Sequence, residues 1–107
     1  MPRPLPSTPE EIEAALVSLP GWEVVNRTPG ASELHRLFEF PSFADAMHFM
    51  LTAARFIHVS DHHPSWLNTY SKVEVWITTG ELKHQISVKD LTLAQYLEDL
   101  FRQYQAF

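Results

Sequence analysis

Six histidines stand in this chain, at positions 35, 48, 58, 62, 63 and 84. Two of them, His62 and His63, are neighbours in the stretch Asp61-His62-His63-Pro64-Ser65-Trp66, which continues through Asn68 and Tyr70. A free imidazole titrates near 6.5, so a rigidly placed pair can both give and take protons at neutral pH. Pro64 fixes the exit of this stretch and disfavours helical geometry at His63. The bland reading of a bare His-His dipeptide is a polar helix terminus. His58 lies four residues before His62, so a continuing helix would put both on one face. That spacing can hold a metal, with His63 adding a third nitrogen. The metal signal is weak, because Val59 stands where a zincin helix needs glutamate and no carboxylate ligand is evident. His35 and His48 fall in ordinary strand and helix positions and read as structural.

A pair of imidazoles needs a frame, and the flanking sequence supplies one. Thr8-Pro9-Glu10-Glu11 starts a helix with a capping box, followed by Ile12, Ala15, Leu16 and Leu19 on one face; Pro20-Gly21 ends it. Trp22 to Val25 and Glu33 to Phe40 read as two strands of a hairpin, with Arg36 interrupting the apolar alternation of Leu34, Phe38 and Phe40. Ser42 caps the next helix. Its apolar stripe of Phe43, Ala46, Met47, Met50, Ala53, Ala54 and Ile57 runs towards His58 and His62. Trp66 to Thr79 reads as one long strand with Val73, Val75 and Ile77 on one face, and Asn68, Tyr70, Lys72, Glu74, Trp76 and Thr78 on the other. Gly80 to Ile86 reads as a loop. Ser87 and Asp90 open a last helix carrying Leu93, Ala94, Leu97, Leu100, Phe101 and Tyr104. Order and pattern give an α+β fold, a small antiparallel sheet with helices packed on one face.

The remaining bounds come from composition. The chain has 107 residues, 45% hydrophobic, which suits a single domain over 1–107 with a core; residues 1–7, rich in proline, read as a mobile arm. The formal charge of −5 disfavours direct nucleic-acid binding. No run approaches membrane-spanning length. The absence of cysteine excludes disulfides and thiolate chemistry and fits a reducing cytoplasm.

The wider pattern is more specific than the dipeptide. Asp-His-His-Pro-x-Trp-x-Asn-x-Tyr from Asp61, then Lys72-Val73-x-Val75, then Asp90 with Leu93-Ala94, resembles the pterin-4a-carbinolamine dehydratases. The resemblance runs from Gly21-Trp22 to the final helix. It implies a four-stranded antiparallel sheet with helices on one face, assembled as a homodimer or homotetramer, and no metal or organic cofactor. It implies a hydro-lyase that removes water from 4a-hydroxytetrahydropterin to give quinonoid dihydropterin in tetrahydrobiopterin recycling. His62 and His63 match the family's acid/base pair and Asp90 its downstream aspartate, for which a helix-start role is the bland alternative. His58, Trp22, Thr78 and Thr79 match positions implied to meet the pterin. Trp22 is also a plain core residue, and the two threonines are good strand formers. The family implies a further histidine after Thr79, where this chain has Gly80. His84 in the following loop is the candidate substitute, with an exposed loop residue as its plain reading. Some relatives act as dimerisation or assembly partners, so a weak or inactive member with that role is the alternative.

Overall fold

The structure, a computed structural model, describes residues 5–105. Helix α1 (Pro9–Leu16) is followed by β1 (Glu23–Val25), β2 (Glu33–Glu39) and helix α2 (Phe43–Ser60). Strands β3 (Ser65–Thr69) and β4 (Lys72–Ile77) lead through a short 3-10 turn at Gly80–Leu82 to helix α3 (Val88–Gln105). The four strands form one antiparallel sheet in the order β1-β2-β4-β3. The α+β architecture is the one the sequence implies.

The fourth strand comes from a split of the long Trp66–Thr79 segment. Tyr70 takes a left-handed φ of 54°, and the chain reverses at Tyr70–Ser71. Asn68 clamps the reversal, its Nδ2 donating to the carbonyls of Tyr70 at 3.0 Å and Lys72 at 2.9 Å. The turn also resets the side-chain alternation. Trp66 pairs with Val75 and Asn68 with Val73, so both lie on the helix-covered face. The expectation that Asn68 shares a face with Glu74 and Trp76 is corrected, because a period of two holds only within one uninterrupted strand.

The caps form as their sequences require. Thr8 Oγ1 accepts from Glu11 N, and Glu11 returns a bond to Thr8 N. Ser42 Oγ accepts from Asp45 N. On α2 the buried stripe is Ala46, Phe49, Ala53 and Ile57. Phe43 and Ala54, expected on it, are exposed, and Phe49 takes the central place. Phe38 lies at the middle of the core with ring centroids 5.1 Å from Phe49 and 4.8 Å from Phe101. Truncating such a ring to alanine costs about 3–5 kcal/mol.

Arg36 explains its own break in the pattern. It points to the core face and lies over the Phe38 ring, and its Nε donates to the buried Glu98 at 3.2 Å. Of the arm expected at 1–7, residues 1–4 lie outside the described residues. Its end is tied down: Pro6 bridges to Ser87, and Ser7 N donates to Ile86 O at 2.8 Å. No described helix is long and apolar enough to cross a membrane.

Candidate active site

Helix α2 stops one residue short of the histidine pair. Asp61 adopts a left-handed φ of 52° and its N–H donates back to His58 O. Aspartate tolerates this conformation better than most residues. The expected continuation of the helix to His62 is therefore corrected, and His58 and His62 do not share a helical face. His62, His63 and Pro64 instead form a short link between the end of α2 and the edge strand β3.

The link delivers His62 to the start of α3. His62 Nε2 lies 2.6 Å from Asp90 Oδ1. Asp90 is fully buried, and the His62 side chain is 13% exposed. The other carboxylate oxygen, Oδ2, accepts from Ser87 N at 2.8 Å and from Thr79 Oγ1 at 2.7 Å. Asp90 makes contacts on both sides. Its Oδ2 closes the α3 cap on the Ser87 N–H, and its Oδ1 holds an imidazole. Beside His62 is a cavity of about 190 Å³ lined by Phe56, Ser60, Val88, Lys89, Thr92 and Leu93. A carboxylate-held imidazole at a largely apolar cavity is equipped to accept and return a proton.

His63 faces elsewhere. Its side chain is 60% exposed, and with His58, Pro64, Trp66, Ala54 and Ile57 it lines a second cavity of about 190 Å³. The adjacent histidines thus serve two neighbouring concavities rather than one. His58 and His63 come together in the second, beside the Trp66 ring.

The other candidates are distributed differently. Thr79 is 1% exposed and is engaged with Asp90 and Ser87. Thr78 Oγ1 donates to Ser32 O at 2.8 Å, tying β4 to the loop before β2. Trp22 is buried in the core, edge-on to Phe38, and its Nε1–H donates to Glu98 Oε1 at 2.8 Å. It is absent from the lining of both histidine cavities. His84 stands over Gly80: a β-carbon built on Gly80 would lie 3.8 Å from His84 Cε1. The approach is set by two consecutive left-handed residues, Lys83 at φ 57° and His84 at φ 63°. His35 sits between Glu23 and Glu74, and His48 contacts the Tyr104 hydroxyl, as structural histidines do. Among the described residues no group of three or more His, Asp or Glu is arranged to hold a metal.

Sequence reasoning passed over Ser87 as a site residue. Its capping role was visible, but its contact with Thr79 spans 8 residues and needs the loop to close. Phe56, Ser60 and Thr92 carry no local signal at all, since only the packing of α2 on α3 makes them a wall.

Comparison with known proteins identifies the family. Residues 5–100 match the family model described as pterin 4 alpha carbinolamine dehydratase, and the chain belongs to that family. A Rhizorhabdus wittichii protein named provisionally as such a dehydratase is 36% identical over 98 residues, spanning 89% of this chain and 94% of its own. One from Afipia carboxidovorans, named in the same way, is 37% identical over 91 residues, spanning 85% of this chain and 87% of its own. Among solved structures, one described as a transcriptional coactivator/pterin dehydratase from Brucella melitensis superposes with a TM-score of 0.81 at 31% identity, covering 90% of this chain and 98% of its own. A pterin dehydratase-like protein described as a RuBisCO assembly factor in the alpha-carboxysome shares the fold, with a TM-score of 0.65 at 16% identity over 78% of this chain and 93% of its own.

Proposed function

We propose that the protein dehydrates 4a-hydroxytetrahydropterin to quinonoid dihydropterin, in the recycling of tetrahydrobiopterin or a related pterin in the cytoplasm. The observation that carries this reading is the 2.6 Å contact between His62 Nε2 and the buried carboxylate of Asp90, in a chain of the dehydratase family. With Nε2 engaged, His62 has Nδ1 free as the base. It takes the proton from the ring nitrogen next to carbon 4a, and the nitrogen's electron pair forms the new C=N bond. The C–O bond breaks with its electrons going to oxygen, and His63, the more exposed imidazole, protonates the departing hydroxide to water. The carboxylate of Asp90 stabilises the imidazolium formed on His62. The hydroxyl leaves along the ring normal while the N–H proton lies nearer the ring plane, so acid and base that face different directions suit the reaction. On this reading the pterin lies across both concavities, meeting His62 from the first and, from the second, Trp66 as an apolar face for the bicyclic ring and His58 as a polar contact. No metal or organic cofactor enters.

His84 acts in the place that Gly80 leaves. The 3.8 Å spacing of its Cε1 from the missing β-carbon supports this. The assay follows quinonoid dihydropterin formation in wild type, His62→Ala, His63→Ala and His84→Ala. Losing one acid/base group lowers the rate by roughly 10²–10⁴-fold. Gly80→His restores the rate of His84→Ala. Equal rates in wild type, His62→Ala and the uncatalysed control would remove the enzyme claim.

A second reading is favoured by Gly80 itself, together with apolar side chains on the uncovered sheet face, where Leu37 is 38% and Leu67 55% exposed. On that reading the chain is a weak or inactive member that serves as an assembly or dimerisation partner. The same face supports a homodimer or homotetramer under either reading. Calorimetric titration with a pterin separates the two: no heat of binding leaves only the partner role.

A further inference from the structure

The hydroxyl of Thr79 is buried within a polar cluster. Thr79 is 1% exposed, Ser87 and Asp90 0%, so solvent cannot stand in for any partner. We infer that Thr79 is a positioning residue: a one-way chain of hydrogen bonds through Ser87, Thr79 and Asp90 fixes which nitrogen of His62 is left free. The inference deepens the proposed dehydratase reading and rests on it only for what His62 then does.

The direction of every link follows from counting protons. The backbone N–H of Lys89 can only donate, and it donates to Ser87 Oγ at 3.2 Å. An ionised carboxylate can only accept. The single proton of the Thr79 hydroxyl therefore goes to Asp90 Oδ2, 2.7 Å away. Thr79 Oγ1 must then accept in its 2.7 Å contact with Ser87 Oγ, whose proton points towards Thr79. The Ser87 N–H fills the second position on Oδ2 at 2.8 Å. No buried side-chain polar atom among the described residues lacks a partner. With Oδ2 occupied twice, the one acceptor left is Oδ1, and His62 Nε2 stands 2.6 Å from it. Nε2 carries the proton, and Nδ1 keeps its lone pair.

The same count says why a hydroxyl is needed at position 79. Valine has nearly the same shape and no proton to give. Thr79→Val leaves Oδ2 with one donor and leaves the Ser87 hydroxyl without its acceptor. The carboxylate then turns to recover a partner, and His62 loses its unique tautomer. Thr79→Ser keeps the proton and the chain.

The test reads the proton directly, by ¹⁵N NMR of the imidazoles of the whole chain at a pH where His62 is neutral, alongside the dehydration rate. Wild type and Thr79→Ser should show His62 protonated on Nε2. Thr79→Val should show a mixture of tautomers, with kcat lowered about 10- to 100-fold, the loss expected for one bond to a charged group. A wild-type spectrum with the proton on Nδ1 overturns the inference without any variant, so a poorly folding valine variant does not shelter it. A folded Thr79→Val with wild-type spectrum and rate overturns it as well. If the tautomers behave as stated but His62→Ala dehydrates at the wild-type rate, the proton placement stands and the dehydratase role of His62 falls.

Discussion

Asp90→Asn is the sharpest perturbation of the site, because it keeps the volume and changes one charge and two protons. Ser87 N and Thr79 Oγ1 both aim protons at Oδ2, from 2.8 and 2.7 Å. The asparagine carbonyl must take that position, since an amide NH2 there would face two donors. Its NH2 group then confronts His62 Nε2 across 2.6 Å. Two N–H groups cannot share that gap, so His62 moves its proton to Nδ1 and presents no lone pair to substrate. The rate falls by on the order of 10²–10⁴-fold, the usual contribution of one acid/base group. Bonds to a charged acceptor are worth about 1.5–3 kcal/mol and neutral ones about 1. Weakening three of them by about 0.5–2 kcal/mol each lowers stability by roughly 1.5–6 kcal/mol, enough to drop Tm by about 10 °C or more in a domain of this size. The measurements are a thermal melt, imidazole ¹⁵N shifts, and quinonoid dihydropterin formation well below the lowered Tm. A folded asparagine variant that keeps the wild-type rate, or loses it with His62 still protonated on Nε2, would refute the reasoning.

Other predictions test the frame. Trp22→Phe removes the donor to Glu98 Oε1 and leaves that 3% exposed carboxylate to Arg36 alone. It should cost about 1–3 kcal/mol by urea unfolding with KM for the pterin unchanged; a raised KM at unchanged stability would return Trp22 to the pocket. Gly21→Ala and Gly30→Ala both put a side chain at positive φ, 85° and 80°, but only the first sets a β-carbon 2.8 Å from the Arg36 guanidinium. Gly30→Ala should cost about 1–2 kcal/mol, and Gly21→Ala measurably more; equal losses would mean that Arg36 moves freely. Burial, and secondarily the charge of Asp45, hold the Tyr104 phenol above its ordinary value near 10. The folded chain thus binds this proton more tightly than the unfolded one. Its contribution is complete below the unfolded midpoint and is lost as pH rises through the folded one. Tyr104→Phe should flatten the alkaline fall in stability, and an unchanged fall would contradict the assignment.

What could be read in the sequence was local, and what could not was set by chain reversal. The capping box at Thr8 and the single cap at Ser42 involve residues three apart, and both form as expected. The buried faces of β4 and α3 follow from their periods. The failures sit at left-handed residues that are not glycine. Tyr70 turns one apparent strand into two and moves Asn68 to the other face, and Asp61 stops α2 before His62. Nothing in the types Tyr and Asp compels a positive φ. Tertiary pairing does, in one case between β3 and β4 and in the other between the histidine link and α3. Thr79 shows the same limit. As a strand-end residue it could be aimed at a ligand or turned inward, and its burial depends on Ser87 and Asp90 closing over it.

Asp90 joins the two levels. A carboxylate at the third position of a helix is an ordinary cap, legible from Ser87-x-x-Asp90 alone. Capping uses only one of its oxygens. The second meets an imidazole that the α2–β3 link brings to it, while Thr79 and Ser87 both donate to the first. The site thereby takes its rigidity from a helix terminus that the fold must satisfy in any case. A histidine held in this way has its orientation set by the same bonds that start α3. Stability of the helix start and alignment of His62 should therefore fall together whenever the Asp90 carboxylate is disturbed, whereas His62→Ala should remove the imidazole and leave the cap bond from Ser87 N to Asp90 Oδ2 in place.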